Sequence, residues 1–358
     1  MEPILIKSLL TKNSQMEEII LSYPRLKERI EGKDQDLTKV RQIIKEIQAD
    51  VSLPFAHSMV KFLDTVLPAL YDGIDFHFKK ETDFPKLVAD NHVVLVPNHQ
   101  SHADYIALNY ILFKKYKMPI YVAGGINLNI FAIGTLFRKC GCFFIRRTFA
   151  NDILYKTILE AYLFYLLWEG KPIEFFFEGG RSRTGKLLSP RYGLYQMLIE
   201  AHKALPEDKK RKLLFLPVSI LHEFVPEQRA LAKELQGGKK KKESITQLFK
   251  IFKIFSYQMG TVHLSVGEGV DYEVLEPQDD LKKLTQHLAF DCFRSVGSNM
   301  MITPTSLLAM IMLDDPVGAM KWDEIVARAK RILRYCDTFN IPYTESLKDE
   351  VLDDNLEH

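Results

Sequence analysis

The chain has 358 residues, 47% of them hydrophobic, and 48 Lys and Arg against 46 Asp and Glu give a net charge of +2. That balance suits a large buried core and excludes a disordered tail, a collagen-like fibre and nucleic-acid binding through bulk charge. Cys140, Cys142, Cys292 and Cys336 form neither a dense disulfide framework nor the paired spacing of a zinc site, so reduced thiols in a reducing cytoplasm are expected.

The N-terminus lacks a leader pattern, and no window reaches the roughly 18 uninterrupted apolar residues of a membrane-spanning helix, so any membrane contact is expected to be peripheral. Residues 1–70 read as a helical region. Leu37, Val40, Ile43, Ile44 and Ile47 recur at helical spacing, and a second helix is expected over Pro54–Leu70. From 71 to 275 short apolar runs bounded by turn residues alternate with amphipathic stretches. Strands are expected over Ile74–Phe78, His92–Pro97, Ile120–Ala123, Cys142–Ile145, Ile173–Phe177, Leu213–Ser219 and Thr261–Val266. This alternation predicts an α/β fold with a mixed, largely parallel central sheet flanked by helices. Ile153–Trp168, apolar except around Lys156 and Glu160, reads as a buried helix. Residues 276–355 return to helix over Leu281–Ser295, Thr305–Leu313 and Lys321–Phe339, and Leu356-Glu357-His358 reads as a tag remnant.

The apolar run ending at Pro97 leads into Asn98-His99-Gln100-Ser101-His102-Ala103-Asp104. Within one helix His99 and Asp104 would lie about 500° apart, so they can meet only if His99 is on the loop and Asp104 in the first helical turn. Ser101-x-x-Asp104 also fits a capping box with Ser101 as N-cap, a reading compatible with the first. A carboxylate on Nδ1 would leave His99 Nε2 free as a base. With no enzyme nucleophile attached, such a base suits a substrate alcohol attacking an activated acyl group.

Three further strand ends complete the pattern. Phe175-Phe176-Phe177 runs into Glu178-Gly179-Gly180-Arg181-Ser182-Arg183-Thr184-Gly185-Lys186, where glycines and guanidinium groups suit a phosphate; the spacing is not that of a Walker loop. Gly141–Ile145 ends in Arg146-Arg147, and one arginine of each pair is expected to serve only a structural salt bridge. Leu214–Ser219 offers little chemistry and reads as core. Gly237-Gly238-Lys239-Lys240-Lys241-Lys242 reads as an exposed loop. Ile245–Tyr257 fits either an amphipathic stretch on an anionic bilayer or a core helix with a basic face.

Taken in order, these blocks resemble the glycerolipid acyltransferase family, and within it the glycerol-3-phosphate acyltransferases of the bacterial PlsB type and their dihydroxyacetone-phosphate relatives. His99-x4-Asp104, Gly141–Arg147, Phe177–Gly185 and Leu216-Pro217-Val218 are similar to four family motifs. Leu70–Ile74, Ala123–Asn129, Lys240–Ser244 and Thr303–Leu307 match connecting segments, so the resemblance covers about Leu70 to Pro342.

The resemblance implies that His99 deprotonates the sn-1 hydroxyl of glycerol 3-phosphate while Asp104 orients the imidazole. It places Arg147, Glu178, Gly179, Arg181 and Arg183 around the glycerol phosphate, with Arg146, Gly180, Ser182 and Lys186 in support. The implied donor is an acyl carrier protein or coenzyme A thioester, the product lysophosphatidic acid, and the location the cytoplasmic face of a membrane. Neither metal nor redox cofactor is chemically required. Glu178-Gly179-Gly180-Arg181 favours the sn-1 branch over lysophosphatidate acyltransferases, which usually read Pro-Glu-Gly-Thr. Gln100 stands where the PlsB type commonly has Arg, and the chain is shorter than those enzymes and is expected to lack their extended C-terminal region. The alternatives are a dihydroxyacetone-phosphate or lysophosphatidate acyltransferase and, from another class, a non-catalytic lipid or acyl-carrier binding protein.

Overall fold

The structure, a computed structural model, describes residues 14–31, 37–130, 132–149, 151–225, 259–315 and 319–348. The lysine run, the Ile245–Tyr257 stretch and residues 356–358 lie outside them.

One sheet organises the described residues, with strands β1 (Gly73–Phe78), β2 (Asn91–Pro97), β3 (Tyr121–Gly125), β4 (Cys142–Ile145), β5 (Ile173–Glu174), β6 (Lys212–His222), β7 (Thr261–Val266) and β8 (Val270–Asp271). Their order is β1-β7-β6-β2-β5-β3-β4, with β8 also pairing β6. The run β6-β2-β5-β3-β4 is parallel throughout. β7 and β8 are antiparallel to β6, and β1 is parallel to β7. The sheet is therefore mixed and largely parallel, as the alternation of apolar runs and amphipathic stretches predicts.

Val93 to Val96 of β2 are all buried because helices cover both faces. The alternation of side chains sorts them: Val94 and Val96 join one core cluster, Val93 and Leu95 the other. The first cluster is built around helix Ile153–Trp168, buried on nearly every side as expected. Its outer side is covered by Val40, Ile43, Ile44 and Ile47 of helix Leu37–Ile47 and by Tyr23 and Leu26, while Leu284, Leu288, Cys292 and Val296 of helix Leu281–Ser298 join the same core. The buried Glu160 on that helix is satisfied by Arg25 at 2.9 Å and by the Tyr23 hydroxyl. Only the last two helices, Pro304–Asp314 and Trp322–Phe339, form a separate small cluster around Leu307, Ile311 and Leu333.

The expected strand Ile173–Phe177 is a two-residue ladder, because β3 stops pairing with it at Glu174. Its continuation stays bonded to β2, through Phe175 N–H to Leu95 O (3.1 Å) and Phe177 N–H to Pro97 O (3.3 Å). Conversely, β6 runs three residues past the expected Ser219, because β7 pairs with it as far as His222. β8 has two residues, too few for a periodic signal. All four cysteines are free thiols. Among the described residues no helix is long and apolar enough to cross a membrane.

Candidate active site

The carboxyl ends of β2, β3, β4, β5 and β6 lie along one edge of the parallel sheet, the usual place for a ligand in open α/β folds. The motif-bearing segments all emerge there. β2 passes into Asn98, whose amide exchanges two hydrogen bonds with the backbone of Ile220 on β6, at 2.7 and 2.9 Å. The next residue, His99, is on the loop, and Asp104 is in the first turn of helix Ala103–Tyr116. The two meet: His99 Nδ1 lies 2.8 Å from Asp104 Oδ2.

The same oxygen accepts the backbone N–H groups of Gln100 (2.7 Å) and Ser101 (2.9 Å). These bonds agree with the capping expectation: the Ser101 hydroxyl accepts the Ala103 N–H at 3.0 Å while Asp104 reaches back to the Ser101 N–H, and His102 between them already has helical backbone angles. Asp104 therefore fastens the turn and faces the imidazole at once.

Asp104 is fully buried. Burial alone would push its carboxyl up, but the hydrogen bonds it accepts from His222 and His99 hold it well below the usual carboxylate range. A permanent anion on Nδ1 leaves Nε2 as the lone-pair nitrogen. The imidazole is wedged between Phe176 (ring centroids 4.2 Å apart) and Tyr105 (5.0 Å), which fixes its plane.

Phe176 lies on the extension of β5, which turns at Glu178 and Gly179. Gly179 has φ +66°, and a Cβ there would come 2.9 Å from the Arg191 side chain, so the position requires glycine. The loop beyond is attached to the histidine: Ser182 N–H donates to His99 O at 2.7 Å, and its hydroxyl to Lys186 O at 2.6 Å. Ser182 is thus buried support, while Arg181 is half-buried and Gly180, Arg183 and Lys186 are exposed. Burial pushes the Glu178 carboxyl up to about 8, with the Asp104 charge adding to it. At neutral pH it is mostly an O–H donor.

Arg147 is exposed, and its Nε donates to Asn127 Oδ1 at 3.1 Å, linking the turns after β4 and β3. Arg146 is not brought to this edge. Its guanidinium grips Glu46 with two bonds of 2.7 Å, reaches Asp152 at 3.0 Å and stacks on the Tyr155 ring. It is the structural arginine of its pair, fastening helix Leu37–Ile47 to the sheet. Arg146→Ala is accordingly expected to lower stability by about 1–2 kcal/mol, measured by urea unfolding, without affecting binding at the His99 edge.

Two buried polar residues escaped the sequence reading. His222, at the end of β6, places Nε2 2.6 Å from Asp104 Oδ1. Its signal was the continuation of Val218 and Ile220 at period two, beyond the expected end of the strand. Glu174 on β5 accepts from Asn109 Nδ2 at 3.0 Å beneath the site, and burial pushes its carboxyl up to about 8. No group of residues suited to a metal ion occurs among the described residues. An open cavity of about 330 Å³ lined by Lys79, Glu268, Asp291 and Arg294 lies toward the opposite sheet edge, where β1 and β7, which run against β6, end, away from the His99 site.

A buried His–Asp pair on this sheet edge, without an attached enzyme nucleophile, has the geometry of a general base for a substrate hydroxyl. Residues 75–221, from β1 through His99 and Asp104 to β6, match the family model described as Acyltransferase. Residues 231–358 match the model of the glycerol-3-phosphate acyltransferase C-terminal region, and the chain belongs to the glycerol-3-phosphate acyltransferase family. The second match shows that part of the C-terminal region expected to be lacking is present.

The chain is 33% identical over 284 residues to a glycerol-3-phosphate acyltransferase of Pseudomonas putida (strain GB-1), covering 74% of this chain and 34% of that protein. It is 34% identical over 319 residues to one of Xylella fastidiosa (strain M23), covering 84% and 36%. The chain spans about a third of the length of these curated relatives. A solved structure, the 1-acyl-sn-glycerophosphate acyltransferase PlsC of Thermotoga maritima, aligns over 73% of this chain and 79% of its own at 16% identity, with a TM-score of 0.38.

Proposed function

We propose that this chain transfers a fatty acyl group from an acyl carrier protein or coenzyme A thioester to the sn-1 hydroxyl of glycerol 3-phosphate, giving lysophosphatidic acid, at the cytoplasmic surface of a membrane. The observation that carries the reading is the buried His99–Asp104 pair, tethered through Ser182 to the loop that bears Arg181 and Arg183. His99 Nε2 takes the hydroxyl proton as the oxygen attacks the thioester carbonyl. The tetrahedral intermediate then expels the thiolate, which recovers that proton from the imidazolium. Asp104 holds the tautomer and balances the transient positive charge. Because the thioester is already activated, the step requires no metal or redox cofactor.

Arg181 and Arg183, with Arg147 across the edge, supply the positive groups for the phosphate, and protonated Glu178 offers a donor to an acceptor oxygen. Gly179 and Gly180 leave the backbone open to it, while Ser182 and the Lys186 carbonyl hold the loop closed. Arg181→Ala or Arg183→Ala is expected to raise KM for glycerol 3-phosphate by about 10- to 100-fold with a smaller effect on kcat. Arg146→Ala, which removes a structural ion pair, serves as the contrast with unchanged KM.

The reading is tested by offering glycerol 3-phosphate, dihydroxyacetone phosphate and lysophosphatidate in parallel to the purified chain, with both thioester donors and vesicles present. Preference for glycerol 3-phosphate is expected. Preference for another acceptor would reassign the branch, and binding of lipid or acyl carrier protein without turnover would favour the non-catalytic alternative.

A further inference from the structure

We propose that His222 is a positioning residue for the His99–Asp104 pair: as a neutral hydrogen-bond donor to the far oxygen of Asp104, it sets the direction and strength of the bond between that carboxylate and His99. The inference rests on the reading of His99 as the base.

The contact is built from two directions. Asn98 and His99 follow β2 directly while Ile220 and His222 lie in the last residues of β6, and the Asn98 amide locks the two strand ends together at Ile220. His222 is two residues further on, and in a strand its side chain emerges on the same face as that of Ile220. Its imidazole is completely buried, with Nε2 2.6 Å from Asp104 Oδ1 and the Tyr71 ring 6.1 Å away.

His222 Nδ1 is buried without a hydrogen-bond partner. A proton on that nitrogen would be left unsatisfied, so the neutral tautomer with Nε2–H is favoured, and that proton is donated to Asp104. Asp104 thereby accepts on both oxygens: three donors on Oδ2, His99 among them, and one on Oδ1. The Oδ1 bond prevents the carboxylate from rotating about its long axis. It also spreads the negative charge toward β6 and so weakens the pull that Asp104 exerts on the His99 proton.

The other titratable groups around this carboxylate are Tyr105 on its own helix, Glu174 on β5 and Glu178 just beyond it, all of which sense the Asp104 charge, with Arg181 near Tyr105. None of them faces Oδ1 at hydrogen-bond distance. Loss of the His222 donor should therefore concentrate charge on the bond to His99, make the imidazolium form at higher pH, and free the carboxylate to tilt.

The test compares His222→Gln, whose amide nitrogen can reach the position of Nε2, with His222→Asn, which is polar but too short, and His222→Phe, which keeps the ring without the donor. Asn and Phe are expected to lower kcat about 10-fold, to leave KM for glycerol 3-phosphate within about twofold, and to move the acid limb of the kcat profile to higher pH. Gln is expected to retain most of the rate and the original acid limb. If the Phe variant does not fold, the comparison of Gln with Asn decides.

Independently of turnover, the downfield proton of the His99–Asp104 bond, identified by its loss in His99→Ala, should move further downfield in Asn and Phe but not in Gln. An acid limb and a proton resonance unchanged in Asn and Phe, or a Gln variant as impaired as Asn, would overturn the proposal. Absence of turnover in the unaltered chain, with the resonance responding as expected, would count against the acyl-transfer reading and leave the role of His222 standing.

Discussion

Asp104→Asn is expected to lower kcat by about 10³- to 10⁴-fold, the scale on which losing the carboxylate partner of a histidine base is felt. The carboxylate accepts from His99 Nδ1, Gln100 N–H and Ser101 N–H on one oxygen and from His222 Nε2 on the other. An amide has one acceptor oxygen. If it faces the three donors, its NH2 meets His222 Nε2, which must then pass its proton to the partnerless Nδ1. If it flips, it confronts three N–H groups. In either case the negative charge that would balance the imidazolium is gone.

His99→Ala should cost at least as much, and the double variant no more than His99→Ala alone, because the pair acts as a unit. Steady-state kinetics on folded variants measures both. Stability responds to the same group. A buried carboxyl held below its unfolded value of about 3.9 contributes stability above that pH and loses it as the pH falls further. The Asn variant should therefore be less stable than the parent at neutral pH, with the gap narrowing in acid.

Glu174→Gln is expected to have the opposite effect on stability. Burial raises this carboxyl from 4.5 to about 8, against the Asn109 hydrogen bond that lowers it and with the Asp104 charge adding to the rise. The folded chain therefore keeps a proton that the unfolded chain has released at neutral pH. The sign follows: stability is complete below the unfolded value and falls as pH rises through the folded one. At pH 7 the penalty is about 3 kcal/mol, and Gln removes it while its carbonyl can still accept from Asn109. Urea unfolding should show a gain of about 2–3 kcal/mol at pH 7–8 that disappears at pH 4. An equal gain at both pH values would assign the effect to packing instead.

What the sequence revealed was what short-range spacing carries. The apolar run Val93–Val96, the loop placement of His99 before a helix, and the emergence of Arg147 and Glu178 at strand ends all depend on residues within a few positions of one another. Long-range pairing was invisible. His222 is 118 residues from Asp104 and reaches it only because β6 lies beside β2 in the sheet. Arg146 and Arg147 are adjacent and chemically alike, and what separates their fates is Glu46, 100 residues upstream on a helix that packs against the sheet. β5 stops early and β6 runs on because of their neighbours, not their own propensities. Propensity cannot report which strand lies alongside.

The central claim is that His99 activates a substrate hydroxyl directly, with no acyl-enzyme intermediate. It is tested most directly by following thiol release from an acyl thioester on mixing with the purified chain, with and without glycerol 3-phosphate, alongside His99→Ala. Release that requires the acceptor, shows no burst in its absence and is lost in the variant is the expected result. A stoichiometric burst without acceptor, or equal release by His99→Ala, would contradict it.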